Sequence, residues 1–271
     1  MIVDKFKKII QEQNLFSPKD KLLLAVSGGV DSVVLCELCK QACFDFTIVH
    51  CNFQLRGEES TRDENFVKMV GKKYAVEVLI KKFDTETYAT ENKLSIQEAA
   101  RVLRYDWFEE LITHDSQLVT HNSPLTTHLL TAHHADDNAE TLLMNFCRGT
   151  GLHGLTGIPV SYGHIKRPLL GFTKKELLDF AEEYTLNFVE DSSNQSSKYT
   201  RNFFRNEIIP AISKVYPQVK ESLQDNINRF KEIEKLYQFS VGELKKKLCK
   251  PCNMHLMKCW MQFAAKKMKK V

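Results

Sequence analysis

Short apolar runs alternate with longer amphipathic segments along the first half of the chain. The runs lie at residues 21–26 (KLLLAV), 46–50 (FTIVH), 75–80 (AVEVLI) and 128–132 (HLLTA), and each predicts a buried strand. Between them, residues 58–74 and 95–113 repeat their apolar positions every three or four residues, which predicts helices. This alternation of strand and helix is typical of an α/β fold with a doubly wound, mostly parallel sheet.

The second half of the chain has a different pattern. Residues 149–159 (GTGLHGLTGIP) predict a glycine-rich loop, and residues 173–184 predict a short amphipathic helix capped by Thr173. No strand-rich region is expected after them. Beyond Pro217 the apolar residues keep a helical spacing up to Leu248, which predicts an arm or linker helix of about 30 residues and about 45 Å.

The charge of the chain changes towards its C-terminal end. The 271 residues include 38 Lys and Arg against 34 Asp and Glu, but residues 241–271 hold nine Lys and one Glu. We expect one domain over residues 1–216 and a long helical linker with a basic tail over residues 217–271. Two interpretations of the tail stay open: a solvated helix end, and a contact with nucleic acid.

Hydropathy and cysteine usage indicate the compartment. No window approaches the roughly 18 uninterrupted apolar residues of a membrane span, and the opening segment MIVDKFKKIIQEQN lacks the apolar core of a signal peptide. The eight cysteines are spread through a mid-sized chain, which indicates reduced thiols rather than a disulfide framework. We therefore expect a cytoplasmic protein without a membrane partner, and the sequence leaves its oligomeric state open.

A candidate phosphate loop lies at residues 27–32 (SGGVDS), between the first strand and its helix. Backbone N–H groups and the positive end of the helix converge there, and both favour an anion such as a nucleotide phosphate. The glycines allow close backbone approach, the serines add hydroxyl donors, and Asp31 could hold Mg²⁺ or a cationic group. An ordinary strand-to-helix turn is the simpler alternative. Because the loop has no GKS or GKT sequence, kinases and motor ATPases are disfavoured.

A second polar cluster, residues 133–141 (HHADDNAET), follows the last predicted strand and opens a helix. Asp136 and Glu140 are four residues apart, so both carboxylates share one helical face near its positive end. Beside a phosphate loop, such carboxylates would form a Mg²⁺ or amine site. The alternative is an acidic first turn that only complements the helix dipole.

Seven segments occur in order along the chain: SGGVDS, FTIVHCNFQLR, SIQEAARVLRY, HHADDNAET, RGTGLHGLTGIP, KRPLL and VEDSSNQSSKYTRNFFRNEIIP. Together they resemble the catalytic domain of the bacterial tRNA(Ile)-lysidine synthetases, which are N-type ATP pyrophosphatases of the PP-loop superfamily. The resemblance covers roughly residues 22–217 and is most specific in residues 191–205, because several other enzymes share the phosphate loop. It implies that residues 1–216 are a catalytic domain.

The resemblance implies an ATP-dependent ligase that forms a carbon–nitrogen bond. In that family, ATP adenylylates the wobble cytidine of the isoleucine tRNA with a CAU anticodon and pyrophosphate leaves. Free L-lysine then displaces AMP, and the product is lysidine. The implied ATP contacts are Ser27, Gly28, Gly29, Val30, Asp31, Ser32, His50 and Asn52, with Mg²⁺ at Asp31. The implied lysine contacts are Arg101, Arg104, His133, Asp136, Asp137 and Glu140.

The implied catalytic residues are Asp31, Asp136, Asp137, Glu140, Arg201 and Arg205. One carboxylate of the second cluster could accept the proton that the lysine ammonium must lose before it attacks. The two arginines would stabilise charge on the reacting phosphorus. An exposed helix face paired with Glu207 is the alternative interpretation of these arginines.

Two other functions stay open. A PP-loop enzyme that 2-thiolates tRNA also adenylylates a cytidine, but the cysteine placement in this chain does not match that class. A nucleotide- or tRNA-binding module without turnover is the second alternative. The intact SGGVDS and HHADDNAET segments argue against it.

Two segments depart from the family pattern. Residues 113–127 are longer than the usual connection and predict a surface loop. Many family members continue beyond the long helix into domains that bind tRNA, so we expect either a short-form enzyme or the start of a truncated tRNA-binding region. In the tail, four residues have a weak zinc-like spacing, which we interpret as free thiols and a histidine rather than a metal site: Cys249, Cys252, His255 and Cys259.

Overall fold

The computed structural model describes residues 1–118, 126–190 and 200–248. Its strands form one sheet in the order β3-β2-β1-β4-β6-β5. Their bounds are β1 Lys21–Ala25, β2 Phe46–Asn52, β3 Val78–Lys82, β4 Thr127–Leu130, β5 Ser161–Tyr162 and β6 Ile165–Lys166. All neighbours pair in parallel except β5 and β6, which form a short antiparallel hairpin at the edge. The predicted doubly wound, mostly parallel sheet is confirmed.

Helices cover both faces of this sheet. Their bounds are α1 Ile2–Glu12, α2 Val30–Gln41, α3 Glu58–Tyr74, α4 Thr85–Glu91, α5 Ile96–Leu118, α6 Ala135–Arg148, α7 Leu152–Leu155, α8 Lys174–Glu183, α9 Thr200–Phe203, α10 Ile209–Ser213 and α11 Val219–Leu248. A 3₁₀ turn spans Pro168–Gly171, and a π-helical turn, Phe204–Ile208, joins α9 to α10. Among the residues described, no helix has the length and apolar content that a membrane span requires.

Several predicted boundaries differ from the structure. The third strand starts at Val78 rather than at residue 75, because Ala75 adopts a left-handed conformation (φ 54°) that ends α3. The predicted surface loop at 113–127 is wrong in its first part, since α5 continues to Leu118. Residues 119–125 of that prediction lie outside the described residues, as do residues 191–199 of the family segment and the four candidate zinc ligands.

The central strand β1 is buried on both faces at Leu22, Leu23 and Leu24, which explains why it is apolar after its exposed first residue, Lys21. Leu22 and Leu24 pack with α1, α2 and α8 in one core cluster. Leu23 points to the opposite face and packs with Leu129 and Trp107 in a second cluster. Successive strand residues alternate between faces, so one run of leucines holds two layers of helices on the same sheet. The carboxyl end of β1 is thereby fixed in position.

The long helix α11 has a packed half and an exposed half. Its first turns lie on α6, where Val219, Leu223 and Ile227 are buried against Ala139 and Leu142. Further along, its large apolar side chains are exposed by more than half: Ile233, Leu236, Tyr237, Phe239 and Leu244. The first half is therefore an additional layer on the α/β core, and only the outer half has the exposure expected of an arm. The division of the chain at residue 217 stays a prediction.

Candidate active site

The phosphate loop lies between β1 and α2, as the sequence predicted. Gly28 has φ +99°, and a Cβ at that position would lie 3.3 Å from a ring carbon of Phe66. The Ser32 hydroxyl accepts a hydrogen bond from the Gly28 N–H (3.3 Å) and donates to the Gly29 carbonyl (2.8 Å). The Ser32 and Val33 N–H groups both donate to the Gly29 carbonyl (3.1 Å each), whereas the N–H groups of Val30 and Asp31 begin the helix and have no carbonyl one turn earlier within it. This start of a helix can bind an anion, and we call the loop the anion cradle.

His50 and Asn52 lie at the carboxyl end of β2, beside this loop. The His50 ring contacts the Val26 carbonyl through Nδ1 (2.8 Å), and burial lowers its pKa, so the ring is neutral at pH 7. Asn52 donates to the buried carboxylate of Glu64 (2.8 Å). Both side chains already have protein partners. Their position next to the loop fits the implied contact with ATP, while their hydrogen bonds indicate that they shape this edge of the site.

The second polar cluster forms the first turns of α6. Its N-cap, His134, donates its backbone N–H to Asp137 (3.0 Å). Burial favours the neutral form of Asp137, but the charge and backbone N–H of His134 outweigh it and lower the pKa of that carboxyl. Glu140 is 1% exposed, and burial raises its pKa despite the nearby arginines. The two neighbouring carboxyl groups therefore differ in the direction of their pKa shifts: that of Asp137 is lowered and that of Glu140 is raised.

Arg205 reaches this cluster from the π-helical turn. Its Nε and Nη2 donate to the two carboxylate oxygens of Glu140 (2.6 and 2.9 Å), and Nη2 also donates to Asp137 (2.9 Å). Arg201 donates to the Thr141 hydroxyl (2.8 Å), and its Nε lies 3.7 Å from Glu140. The alternative interpretation, an arginine on an exposed helix face, does not describe Arg205. Of the six residues predicted to be catalytic, four lie in contact here: Asp137, Glu140, Arg201 and Arg205.

Asp136 is held differently from its neighbours. Its carboxylate accepts the backbone N–H of Lys174 (2.8 Å) and the ammonium group of Lys220 in α11. Burial tends to raise the pKa of Asp136, but these hydrogen bonds outweigh it and lower the pKa. Asp136 therefore connects α6, α8 and α11. Its role as a substrate contact, expected from its spacing to Glu140, has less support than that of Asp137.

Three residues near the loop were not singled out from the sequence. Lys174 donates its ammonium group to both oxygens of Asp31 (2.7 and 2.9 Å). His134 is buried, and its Nε2 lies 3.7 Å from Asp31 and 3.6 Å from Asp137. Its other ring nitrogen is buried without a hydrogen-bond partner. The third residue is Lys220. In the sequence, the histidine doublet could have indicated His134, and the predicted Thr173 cap could have indicated Lys174.

The predicted lysine contacts on α5 and in the loop after β4 are only partly brought to the cluster. His133 contacts the Thr131 hydroxyl through Nδ1 (2.9 Å), and burial lowers its pKa to about 4. Arg101 and Arg104 lie on α5, where they stack on Tyr105 and Phe53 at 5.1 Å. Within the described residues, their observed partners are these rings and not the carboxylates of α6. Their implied contact with the substrate lysine therefore stays a prediction.

The site contains oxygen ligands of the kind that Mg²⁺ takes. Asp31 lies at the loop, but both of its oxygens contact Lys174. In the part of the chain that the structure describes, no three His, Cys, Asp or Glu side chains are grouped as a complete metal site. Mg²⁺ usually combines one or two carboxylates with substrate phosphates, and Asp31 beside an anion cradle fits that arrangement.

Comparisons with known proteins find a family and relatives with similar sequences. A family model described as a PP-loop domain matches residues 1–212. A tRNA(Ile)-lysidine synthase of Bacteroides thetaiotaomicron is 40% identical over 93% of this chain and 57% of that protein. A tRNA(Ile)-lysidine synthase of Chlorobaculum tepidum is 38% identical over 89% of this chain and 71% of that protein. The chain thus spans between a half and three quarters of the length of these two relatives.

A solved structure has a similar fold. It is the U34-tRNA thiolase NcsA from Methanococcus maripaludis with its [4Fe-4S] cluster, at a TM-score of 0.66 and 18% sequence identity. The similarity covers 85% of this chain and 80% of that chain. At this identity the comparison shows a common fold and no more.

Proposed function

The chain belongs to the PP-loop family and, within it, to the tRNA(Ile)-lysidine synthases, and from this premise we propose that it makes lysidine. It adenylylates the wobble cytidine of the CAU-anticodon isoleucine tRNA with ATP and Mg²⁺. It then joins free L-lysine to that cytidine and releases AMP. The proposed compartment is the cytoplasm, where these substrates occur together.

One observation carries this proposal: an anion cradle and a carboxylate–arginine cluster meet at His134. The cradle belongs to the loop before α2, and the cluster is built by α6 and the π-helical turn. His134 Nε2 lies within 3.7 Å of Asp31 at the cradle and within 3.6 Å of Asp137 in the cluster. A triphosphate and a cationic amine could therefore bind next to each other, which is the arrangement that both steps require.

In the first step, the 2-oxo group of cytidine attacks the α-phosphorus of ATP and the bond to the pyrophosphate oxygen breaks. The backbone N–H groups of the loop and the Ser32 hydroxyl hold the phosphates. Mg²⁺ at Asp31 would neutralise charge on the triphosphate. Arg201 and Arg205 contact the acidic cluster, and Arg205 is close enough to Asp31 for their charges to interact. There they can stabilise charge that develops on the α-phosphate.

In the second step, the ε-amine of lysine attacks C2 of the cytidine and AMP leaves. The amine must first lose a proton, because free lysine is an ammonium ion at pH 7. We assign proton acceptance to Glu140, whose pKa is raised by burial. Asp137, which keeps a lowered pKa, holds a positive end of the substrate. Both exchange part of their contact with Arg205 for the ammonium group.

The experiment follows radiolabelled lysine into a transcript of the CAU-anticodon isoleucine tRNA with ATP and Mg²⁺. We expect label only with ATP and only when the wobble base is cytidine. Glu140→Gln should abolish incorporation, while Glu243→Gln, a matched change on exposed α11, should retain it. Equal label in a transcript with uridine at the wobble position would contradict the proposal. So would the absence of label in a protein that binds ATP and the transcript.

A further inference from the structure

The phosphate loop has no lysine of its own, yet the fold places one against it. The segment SGGVDS contains no basic residue. Lys174 lies 143 residues after Asp31 in the sequence. Lys174 is the first residue of α8, and its ammonium group donates to both oxygens of Asp31 at 2.7 and 2.9 Å. Its backbone N–H donates to Asp136. One residue thus contacts both polar motifs of the site.

The base of this side chain is rigidly held. Thr173 and Glu176 form a capping box, with the Thr173 N–H donating to Glu176 at 2.8 Å. Phe172 just before them is fully buried, and its carbonyl accepts the Ala135 N–H at 2.8 Å. The Lys174 backbone is therefore fixed relative to α6. Its side chain, in contrast, is 36% exposed and lines an open groove of about 1660 Å³ between α8 and α11.

Other lysines of this groove have different partners. Lys5 pairs with Glu176 at 2.6 Å, and Lys220 pairs with Asp136. Of the groove lysines that the structure describes, Lys174 is the one hydrogen-bonded to a residue of the phosphate loop. Lys174 therefore differs from the other lysines of the groove in its contact with the phosphate loop.

We propose that Lys174 is a catalytic residue that binds the β- and γ-phosphates of ATP. This inference rests on the proposed function. In the free protein Asp31 holds the lysine, which removes the repulsion between a carboxylate and an incoming triphosphate. When the nucleotide binds, the ammonium group moves from Asp31 to phosphate oxygens, and Asp31 is released for Mg²⁺. A lysine ammonium on a flexible stem is suited to this exchange.

The balance of the transfer step is simple. The bond from cytidine O2 to the α-phosphorus forms, and the bond from the α-phosphorus to the bridging oxygen breaks. The electron pair stays on pyrophosphate, whose added negative charge lies next to Lys174. The lysine contributes electrostatically, and the step needs no proton from it.

The test compares the affinities of the full chain for ATP and for AMP without Mg²⁺, tRNA or lysine. Lys174→Met should weaken ATP binding at least tenfold and leave AMP binding unchanged, because AMP lacks the two terminal phosphates. Lys174→Arg should recover most of the loss. Lys175→Met, one residue further along α8, is the matched control and should bind both nucleotides as the unmodified chain does. If Lys174→Met does not fold, Lys174→Gln serves in its place.

A double variant separates phosphate binding from mere neutralisation of Asp31. If Lys174 only neutralises that carboxylate, Asp31→Asn with Lys174→Met should restore the affinity for ATP, which would overturn the inference. If Lys174 binds phosphate, the double variant stays weak. Failure of lysidine formation with a retained ATP-specific loss would remove the proposed function alone. Lysidine formation at full rate by Lys174→Met would remove the lysine's role alone.

Discussion

Arg205 and Glu140 form a two-point ion pair between segments that are 65 residues apart. Nε and Nη2 of the arginine each donate to a different oxygen of the carboxylate, at 2.6 and 2.9 Å. Glu140 is 1% exposed, whereas the arginine side chain is 36% exposed. The half-buried arginine therefore lies between the buried carboxylate and solvent. The ion pair joins α6 to the YTRNFFR segment.

We expect Arg205→Ala to lower the free energy of unfolding by about 1–3 kcal/mol, because it removes both hydrogen bonds to the buried Glu140 carboxylate and leaves only the longer contact with Arg201. It should also abolish lysine incorporation. Arg229→Ala, a surface arginine of α11 that contacts Asn226, is the matched control and should change neither quantity. Urea denaturation and the incorporation assay measure the two effects. An unchanged unfolding midpoint for Arg205→Ala would contradict the importance of the ion pair.

Gly28→Ala should lower both the free energy of unfolding and the affinity for ATP. A φ of +99° is strained for any residue with a side chain, and the new Cβ would lie 3.3 Å from Phe66. We expect a loss of about 1–2 kcal/mol in stability. The matched control is Gly163→Ala, which also has a positive φ (+55°) but has open space around it in the β5–β6 turn. It should lose stability without losing ATP affinity, which isothermal titration calorimetry can test.

Acid should destabilise the protein partly through His133. Its folded-state pKa is about 4, below the ordinary value of 6.5, so the unfolded chain binds the proton more readily. The stability from the neutral ring is therefore complete above about pH 6.5 and is lost as the pH falls towards 4. His133→Gln should flatten this part of the profile in urea unfolding measured at several pH values. An identical pH slope in the variant and the unmodified chain would refute the assignment.

The two halves of α11 should respond differently to substitution. Ile227 is fully buried against α6, so Ile227→Ala should cost about 2–4 kcal/mol of stability. Phe239 is 71% exposed, so Phe239→Ser should cost less than about 0.5 kcal/mol. Thermal or urea unfolding of both variants tests this. A large loss for Phe239→Ser would mean that a further part of the chain covers the outer half.

Local signals in the sequence predicted the fold well. The bounds of α3 agree with the prediction, and α11 begins two residues after Pro217, because apolar periodicity and a proline are local features. The hairpin of β5 and β6 was missed, since its two-residue strands are too short for a periodic pattern. The Asp31–Lys174 contact could not be predicted either. It depends on where α8 lies relative to β1, and no local pattern encodes that distance.

For the functional residues too, local patterns were predictable and contacts between distant segments were not. The sequence predicted that Asp136 and Glu140 lie on one face of a helix, and one helix, α6, carries both. In the structure it is Asp137 that shares Arg205 with Glu140. The spacing did not show that Asp136 is engaged by Lys220, a residue 84 positions later. Arg101 belongs to a segment that resembles the family, yet its visible partner is the Tyr105 ring on the same helix. Resemblance identified the set of residues, and the folded chain distinguishes those that meet.

The Lys220–Asp136 contact also ties the packed half of α11 to the phosphate loop. The contact lies in the first turn of a helix that is 30 residues and therefore about 45 Å long, and Val219, Leu223 and Ile227 hold the same half of the helix on α6. Asp136 also accepts the backbone N–H of Lys174, whose ammonium group contacts Asp31. A partner that binds the exposed half of α11 would therefore be connected to the phosphate loop through Asp136 and Lys174.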